Sequence, residues 1–491
     1  MITDPSAPEI SGSTTTAGRG KRPRPPFGVS AVAVLAVLIA LFSLVPLGYV
    51  AFMTAATGWD TAAALIFRPR VGELLLNTVL LITITVPLCL VLGVGGAWLV
   101  ERTTLRGHKI WAVLLAAPLA IPAFVNSYAW VSAVPSLEGL SSGVLIATLS
   151  YFPLVYIPAA ATLSRLDPAV EQSAASLGLG AWRSFFRVVL PQLRIAMTGG
   201  ALLVSLHLLA EYGAFAMIRF DTFTTAIMVQ YRSTFNGTAG NMLASVLVFF
   251  CLILLLAEVR SRGNARYARV GSGAQAKALR LPLHAYQLPA QLFLLALTAL
   301  AFGLPLVFVL RWIVAGGADI WTADEFVPAL VQTLGYGLAG AVVTTVVAFP
   351  MAYLAVRHAG WFSKALELSN YVTSSMPGIV VGLAFVTVSI RLVPGVYQTS
   401  GVLIAAYVLL FLPRALVNIR AGLAQAPKEL DEAAQVLGSP PLLSFLRVTL
   451  RLTAPAAAGG AALVFLAIAN ELTATLLLSP NGTRTLATEF W

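Results

Sequence analysis

Two short polar stretches interrupt an otherwise apolar chain. Each combines an acidic residue, close-set alanines and a terminating glycine. The first runs through Glu171-Gln172-Ser173-Ala174 to Gly178, and the second through Asp431-Glu432-Ala433-Ala434 to Gly438. Neither holds a nucleophile beside a base or a cluster of metal ligands, so the chemistry on offer is docking rather than catalysis. Helix-forming residues with small alanines on one side make a short, narrow helix, which glycine ends and turns. Phe185 or Phe445 then resumes apolar packing. Such a helix suits a groove on a partner. The plainer reading, an amphipathic loop that merely covers the protein, is weakened by two copies lying about 260 residues apart.

A second set of polar residues lies inside apolar runs. Glu211 and Glu471 occupy equivalent places near the ends of two of these runs, where an ionised carboxylate costs several kcal/mol unless paired or solvated. They either line a path through the protein or lock helices together, and the sequence leaves both open. Asn470 shares that ambiguity, as do Asn126 and Tyr128 in an earlier run. His207 reads as a packed, hydrogen-bonded histidine. Arg414 reads as a side chain reaching out of the apolar layer along its own stem.

Other chemistries are excluded by what is missing. There is no Gly-x-x-x-x-Gly-Lys-Ser/Thr loop to cradle phosphate and no His-Glu-x-x-His pair, so neither ATP hydrolysis nor metalloenzyme activity is expected. The two cysteines, Cys89 and Cys251, lie within apolar runs, which argues against a disulfide framework or a soft metal site.

The elements that must position these residues are membrane helices. The 491 residues are 58% hydrophobic and only 10% charged, with mean hydropathy +0.86. Apolar runs long enough to cross about 30 Å of hydrocarbon begin at Val29 and recur through Leu478, giving about 11 spans. They are continuous rather than alternating, as expected of helices and not of a membrane barrel. The first run, from Val29 to about Met53, is too long for the core of a signal peptide. Residues 1–28 read as a disordered tail rich in Ser, Thr, Pro and Gly. The net charge of +11 is segregated rather than spread. With the amino terminus in the cytoplasm, roughly 23 of the 31 Lys and Arg fall inside, which fits membrane orientation and not nucleic-acid binding. Both polar stretches then face the cytoplasm.

The chain is duplicated. Asn77-Thr78 matches Gln332-Thr333, Arg102 matches Arg357, Pro122 matches Pro377, and Pro153 matches Pro413. The expected architecture is an all-α membrane protein of two tandem, parallel-repeated helix bundles. Residues 29–258 form the first, with a docking loop at 165–191. Residues 259–287 form a basic cytoplasmic linker. Residues 288–491 form the second bundle, with a docking loop at 425–451. The second half ends at Trp491, equivalent to Tyr231, so a twelfth helix is expected in the natural gene.

The segment Glu432-Ala433-Ala434 to Gly438 resembles the EAA signature of binding-protein-dependent ABC-importer permeases, and Gln172-Ser173-Ala174 to Gly178 with Leu190-Pro191 is a looser match. The departures are Gln172 in place of Glu, and Arg451 where the signature would place Pro. The resemblance implies that Glu171, Gln172, Ala174, Gly178, Asp431, Glu432, Ala434 and Gly438 couple the permease to two copies of a cytoplasmic ABC ATPase. That ATPase would hold the ATP and magnesium. It also implies an extracytoplasmic binding protein as donor of the solute, and a bacterial inner membrane as the setting. The segments Pro122-Ala123-Phe124-Val125-Asn126-Ser127-Tyr128, Glu211-Tyr212-Gly213-Ala214-Phe215, Arg219-Phe220-Asp221-Thr222 and Gly482-Thr483-Arg484-Thr485 look like the fused permeases for ferric iron. Fused thiamine permeases share the layout, and a phosphonate importer is a further alternative. An ion-coupled secondary transporter would use the intramembrane carboxylates instead of an ATPase, and the paired docking stretches argue against it.

Overall fold

The computed structural model describes residues 27–164, 166, 173–174, 176–262, 280–318, 321, 324–358 and 360–491. Glu171 and Gln172 therefore lie outside the described residues, as do most of the tail and most of the linker. Among the described residues the chain is helical without a β-strand. Seven helices are long and apolar enough to cross a membrane, and eleven spans result if four bent helix pairs each count once.

Two triangles of helices form the framework. In the first half, Pro69–Arg102, the span Gly139–Leu163 and Arg194–Ala210 pack against one another. In the second half Phe326–Arg357, Ser400–Gln425 and Leu450–Ala469 do the same. Small residues set the distances. A Cβ on Gly93 would meet Val155 Cβ at 2.7 Å and the Tyr156 backbone nitrogen at 2.9 Å, so only a hydrogen fits there.

The opening span of each half crosses to the other half. Phe27–Ser43 lies against Phe326–Arg357 and Trp361–Ser374, where Thr373 Oγ1 donates to the Ser43 carbonyl at 2.9 Å. Tyr49, on Val45–Thr57, donates to Asn241 Oδ1 at 2.8 Å and lies 2.9 Å from Thr387 Oγ1. In return Leu304–Gly316 packs on Ala123–Ala133, with the Trp312 and Tyr128 rings 4.9 Å apart. The two large hydrophobic cores and a small third one, Phe124 with Leu472 and Ala487, consequently each contain residues from both sequence repeats. The division at the linker marks where the repeat begins, while the packing interleaves the halves.

Prolines explain the sharp bends. His108–Ala120 meets Ala123–Ala133 at 93°, with Pro122 at the break, and Trp361–Ser374 meets Gly378–Leu392 at 101°, with Pro377 at the break. Proline has no N–H to donate and forces the preceding residue out of the helical region. Ile121 accordingly sits at φ −101°, ψ 121°. The two docking stretches also differ downstream, although Leu190 before Pro191 keeps helical angles and the first break falls at Leu193. Where the first carries Pro191, the chain bends by 66° between Trp182–Gln192 and Arg194–Ala210. Where the second carries Arg451, a single helix runs from Phe445 to Ala469.

Candidate functional site

The two glycines of the polar stretches close identical turns. Gly178 and Gly438 have φ of +82° and +91°, a region open to glycine at little cost. The Ser439 N–H donates to the Ala434 carbonyl at 3.0 Å and the Gly438 N–H to the Gln435 carbonyl at 3.0 Å, the pattern of a Schellman C-cap. In the first copy the Leu179 N–H donates to the Ala174 carbonyl at 3.1 Å. Each turn leads into one π-helical turn, Phe185–Val189 and Phe445–Thr449. An apolar residue stands out at each tip. Leu177 is 83% exposed and Leu437 is 87% exposed, with no part of the described chain covering them.

The helix Lys428–Val436 presents Glu432 and Ala433 to solvent and leaves Ala434 half-buried, whereas Ala174 is buried. Asp431 turns the other way. Its carboxylate accepts from Thr449 Oγ1 and lies 3.6 Å from Arg357 Nη2. The acidic residue read from sequence as facing a partner is thus engaged inside the protein, because residues one position apart on a helix point about 100° apart.

The intramembrane carboxylates sit at breaks rather than within helices. Arg194–Ala210 ends before Glu211, and a five-residue helix, Gly213–Met217, follows. Leu450–Ala469 ends before Glu471, followed by Thr473–Leu478. Each carboxylate caps the short helix beyond it: Glu211 Oε1 accepts from the Ala214 N–H at 2.8 Å, and Glu471 Oε1 from the Ala474 N–H at 2.9 Å. The two continuous apolar runs near whose ends hydropathy places Glu211 and Glu471 are therefore each split. The cause is local, since a glutamate that captures an N–H three residues ahead offers the backbone an alternative to the helical bond. Tyr151 Oη donates to Glu211 Oε2 at 2.6 Å.

These breaks lie where the halves meet. A Cβ on Gly213 would come within 3.1 Å of Leu472 Cδ2. Glu211 and Glu471 are half-buried, and Asn470 is exposed. Arg414 is exposed on the described chain, and its guanidinium lies 5.2 Å from the centre of the Phe411 ring. His207 Nδ1 lies 2.8 Å from the Leu203 carbonyl, with its ring against Tyr151. Sequence reasoning set His207 and Arg414 aside and missed Tyr151, whose only signal was an aromatic hydroxyl in an apolar run.

Asn126 and Tyr128 differ from one another. Asn126 is 2% exposed and donates to Ser150 Oγ at 2.6 Å, so it ties two helices together and lines no opening here. Tyr128 is exposed and sits among Trp312 and Phe490 where the halves join. Among the described residues, no three of His, Cys, Asp and Glu converge as a metal site would require.

Two interleaved helical halves, with paired turns at one end and paired polar breaks between them, define a multi-pass membrane transport protein. A family model described as the binding-protein-dependent transport system inner membrane component matches residues 345–491. The chain is 34% identical to an Fe(3+)-transport system permease protein of Haemophilus influenzae, covering 95% of this chain and 92% of that one. It is 23% identical to a ferric transport system permease protein of Actinobacillus pleuropneumoniae, over 71% of this chain and 53% of that one. It is 27% identical to a sulfate transport system permease protein of Escherichia coli, over 44% of this chain and 86% of that one. The chain belongs to this family of ABC-importer permeases.

Proposed function

We propose that this chain is the membrane permease of an ATP-driven importer for ferric iron in a bacterial inner membrane. An extracytoplasmic binding protein delivers the ion, and two copies of a cytoplasmic ATPase, carrying ATP and magnesium, drive the cycle. The observation that carries this reading is the pair of Gly178 and Gly438 turns, each presenting an uncovered leucine at its tip. An exposed apolar side chain on a rigid turn contributes its burial energy only when a partner covers it. Two equivalent turns call for two equivalent grooves. Iron is favoured as cargo by the similarity to ferric permeases over nearly the whole chain, whereas the similarity to sulfate permeases spans less than half of it.

The permease contributes bistability, and the partners contribute the free energy that moves it. Contacts between the broken helices at Gly213 and Leu472 would close the path in one state. ATP-driven approach of the two ATPases would separate the halves and part them. Ferric ion is a hard cation that prefers oxygen ligands, and Glu211 and Glu471 supply carboxylate oxygens at the narrowing.

The test is reconstitution of the chain with its ATPase and binding protein in vesicles. ATP-dependent accumulation of ferric iron is expected, and uptake of thiamine or sulfate in its place would overturn the assignment of cargo. Gly178→Pro and Gly438→Pro are expected to abolish ATPase co-purification while leaving membrane insertion intact. Normal co-purification with both would overturn the docking role.

A further inference from the structure

Three elements converge on Asp431. It belongs to the docking helix Lys428–Val436, yet its side chain is only 19% exposed and that of its partner Arg357 only 7%. Its neighbours Glu429 and Glu432 are exposed. Arg357 is the last residue of the spanning helix Phe326–Arg357. Thr449 Oγ1, 1% exposed as a residue, donates to Asp431 Oδ2, and Ser444 Oγ donates to the Asp431 carbonyl at 3.1 Å. Lys428 Nζ, from the first turn of the docking helix, donates to the Arg357 carbonyl at 3.1 Å.

Resting on the docking role proposed above, we infer that Asp431 and Arg357 form a transmission lock within the permease, carrying displacement of the docking helix into the spanning helix Phe326–Arg357. A helix of nine residues joined to the bundle only through its chain ends would swivel when its partner moved. A buried ion pair at its first turn removes that freedom, because separating the charges strands each in a medium that solvates it poorly. The geometry leaves room to tighten. At 3.6 Å the pair is an ion contact rather than a hydrogen bond. Among the described residues neither Arg357 Nη2 nor Asp431 Oδ1 has a hydrogen-bond partner. Asp431 is therefore a positioning residue for coupling and not a contact for the ATPase.

The first half carries Arg102 at the place equivalent to Arg357, at the end of Pro69–Arg102 and 1% exposed. Its sequence counterpart to Asp431 is Glu171, which lies outside the described residues.

The experiment uses the complete complex of permease, ATPase and binding protein in vesicles. Asp431→Asn and Arg357→Gln are expected to retain ATPase co-purification while iron uptake falls about tenfold, within the range usual for coupling between sites. ATP hydrolysis should lose its response to the binding protein. The exchanged pair Asp431→Arg with Arg357→Asp should recover a substantial part of the uptake, which a contact of Asp431 with the ATPase would not permit. Loss of ATPase co-purification in Asp431→Asn, or an exchanged pair no better than the single variants, would overturn the lock. Should Asp431→Asn prove unstable, Thr449→Val removes a donor to the carboxylate without stranding a charge, and unchanged coupling in that variant would overturn the lock as well. Failure of the docking role reads differently, as retained co-purification in both Gly178→Pro and Gly438→Pro.

Discussion

Arg70 Nη2 lies 2.7 Å from Asp221 Oδ2 at the start of the first framework helix, and the equivalent pair in the second half has its charges exchanged. There Glu325 Oε1 lies 2.8 Å from Arg484 Nη1. Asp221 and Arg484 each precede a threonine that opens a capping box, Thr222 with Thr225 and Thr485 with Thr488. The same clasp is thus built twice with opposite polarity, so a loop placed against the wrong half would set like charges together. Both pairs are solvent-exposed and contribute modestly to stability. Arg70→Glu is expected to lower the thermal midpoint in detergent slightly, and Arg70→Glu with Asp221→Arg to restore part of it, since Arg70 also pairs with Glu73 at 3.0 Å. The difference should vanish at roughly 1 M salt, where the screening length is about 3 Å.

Gly93 and Gly95 are neighbours with different tolerances. A methyl on Gly93 would collide with Val155 and with the Tyr156 backbone, whereas one on Gly95 meets nothing within 4 Å. Gly93→Ala should push Pro69–Arg102 away from Pro153–Leu163 and destabilise by about 1–3 kcal/mol, as overpacking does. Gly95→Ala should be neutral or slightly stabilising. Thermal unfolding of the purified variants, read by loss of monodispersity, distinguishes the two.

Glu211 combines a cap with a charge, and substitutions separate the two. Glu211→Gln keeps an acceptor for the Ala214 N–H and removes the charge. Glu211→Ala removes both and should cost about 1 kcal/mol or more in stability through loss of the cap. If the carboxylate serves cargo as well as structure, Glu211→Gln will fold normally and transport poorly. Uptake in vesicles measured beside the unfolding midpoint checks this.

His358 lies just beyond the helix end at Arg357. Burial, and secondarily the Lys428 ammonium, hold its pKa below the ordinary 6.5. As pH falls below 6.5 the unfolded chain takes up the proton before the folded one, so this group lowers stability there and has no effect well above that pH. An NMR titration of His358 should give a midpoint below 6.5. Lys428→Ala should raise it without restoring 6.5, because the larger cause, desolvation, remains.

Much of this architecture is legible in the sequence because membranes demand long apolar runs, and the eleven spans follow from them. Pro122 and Pro377 are visible in the sequence as matched prolines, but the bends at them are not, because hydropathy reads straight through both runs. The breaks at Glu211 and Glu471 were not legible, since they depend on which N–H each carboxylate captures after the chain has folded. The crossing of the opening helices depends on contacts such as those of Tyr49 with Thr387 and of Thr373 with Ser43, which no local pattern encodes. Asp431 reads as partner-facing in the sequence because nine residues of amphipathic helix do not say which side meets the protein's own bundle. Arg357 decides that, and its role appears only when the two chain segments are brought together.

The central claim is that the Lys428–Val436 helix faces the cytoplasm and is covered there by an ATPase. Val436 is 88% exposed, while the natural cysteines Cys89 and Cys251 are buried, so Val436→Cys offers a single accessible thiol. A membrane-impermeant thiol reagent should leave it unlabelled in intact cells, label it in inverted vesicles stripped of ATPase, and fail again once the ATPase is restored. Labelling from outside intact cells, or labelling undiminished by the ATPase, would contradict the account.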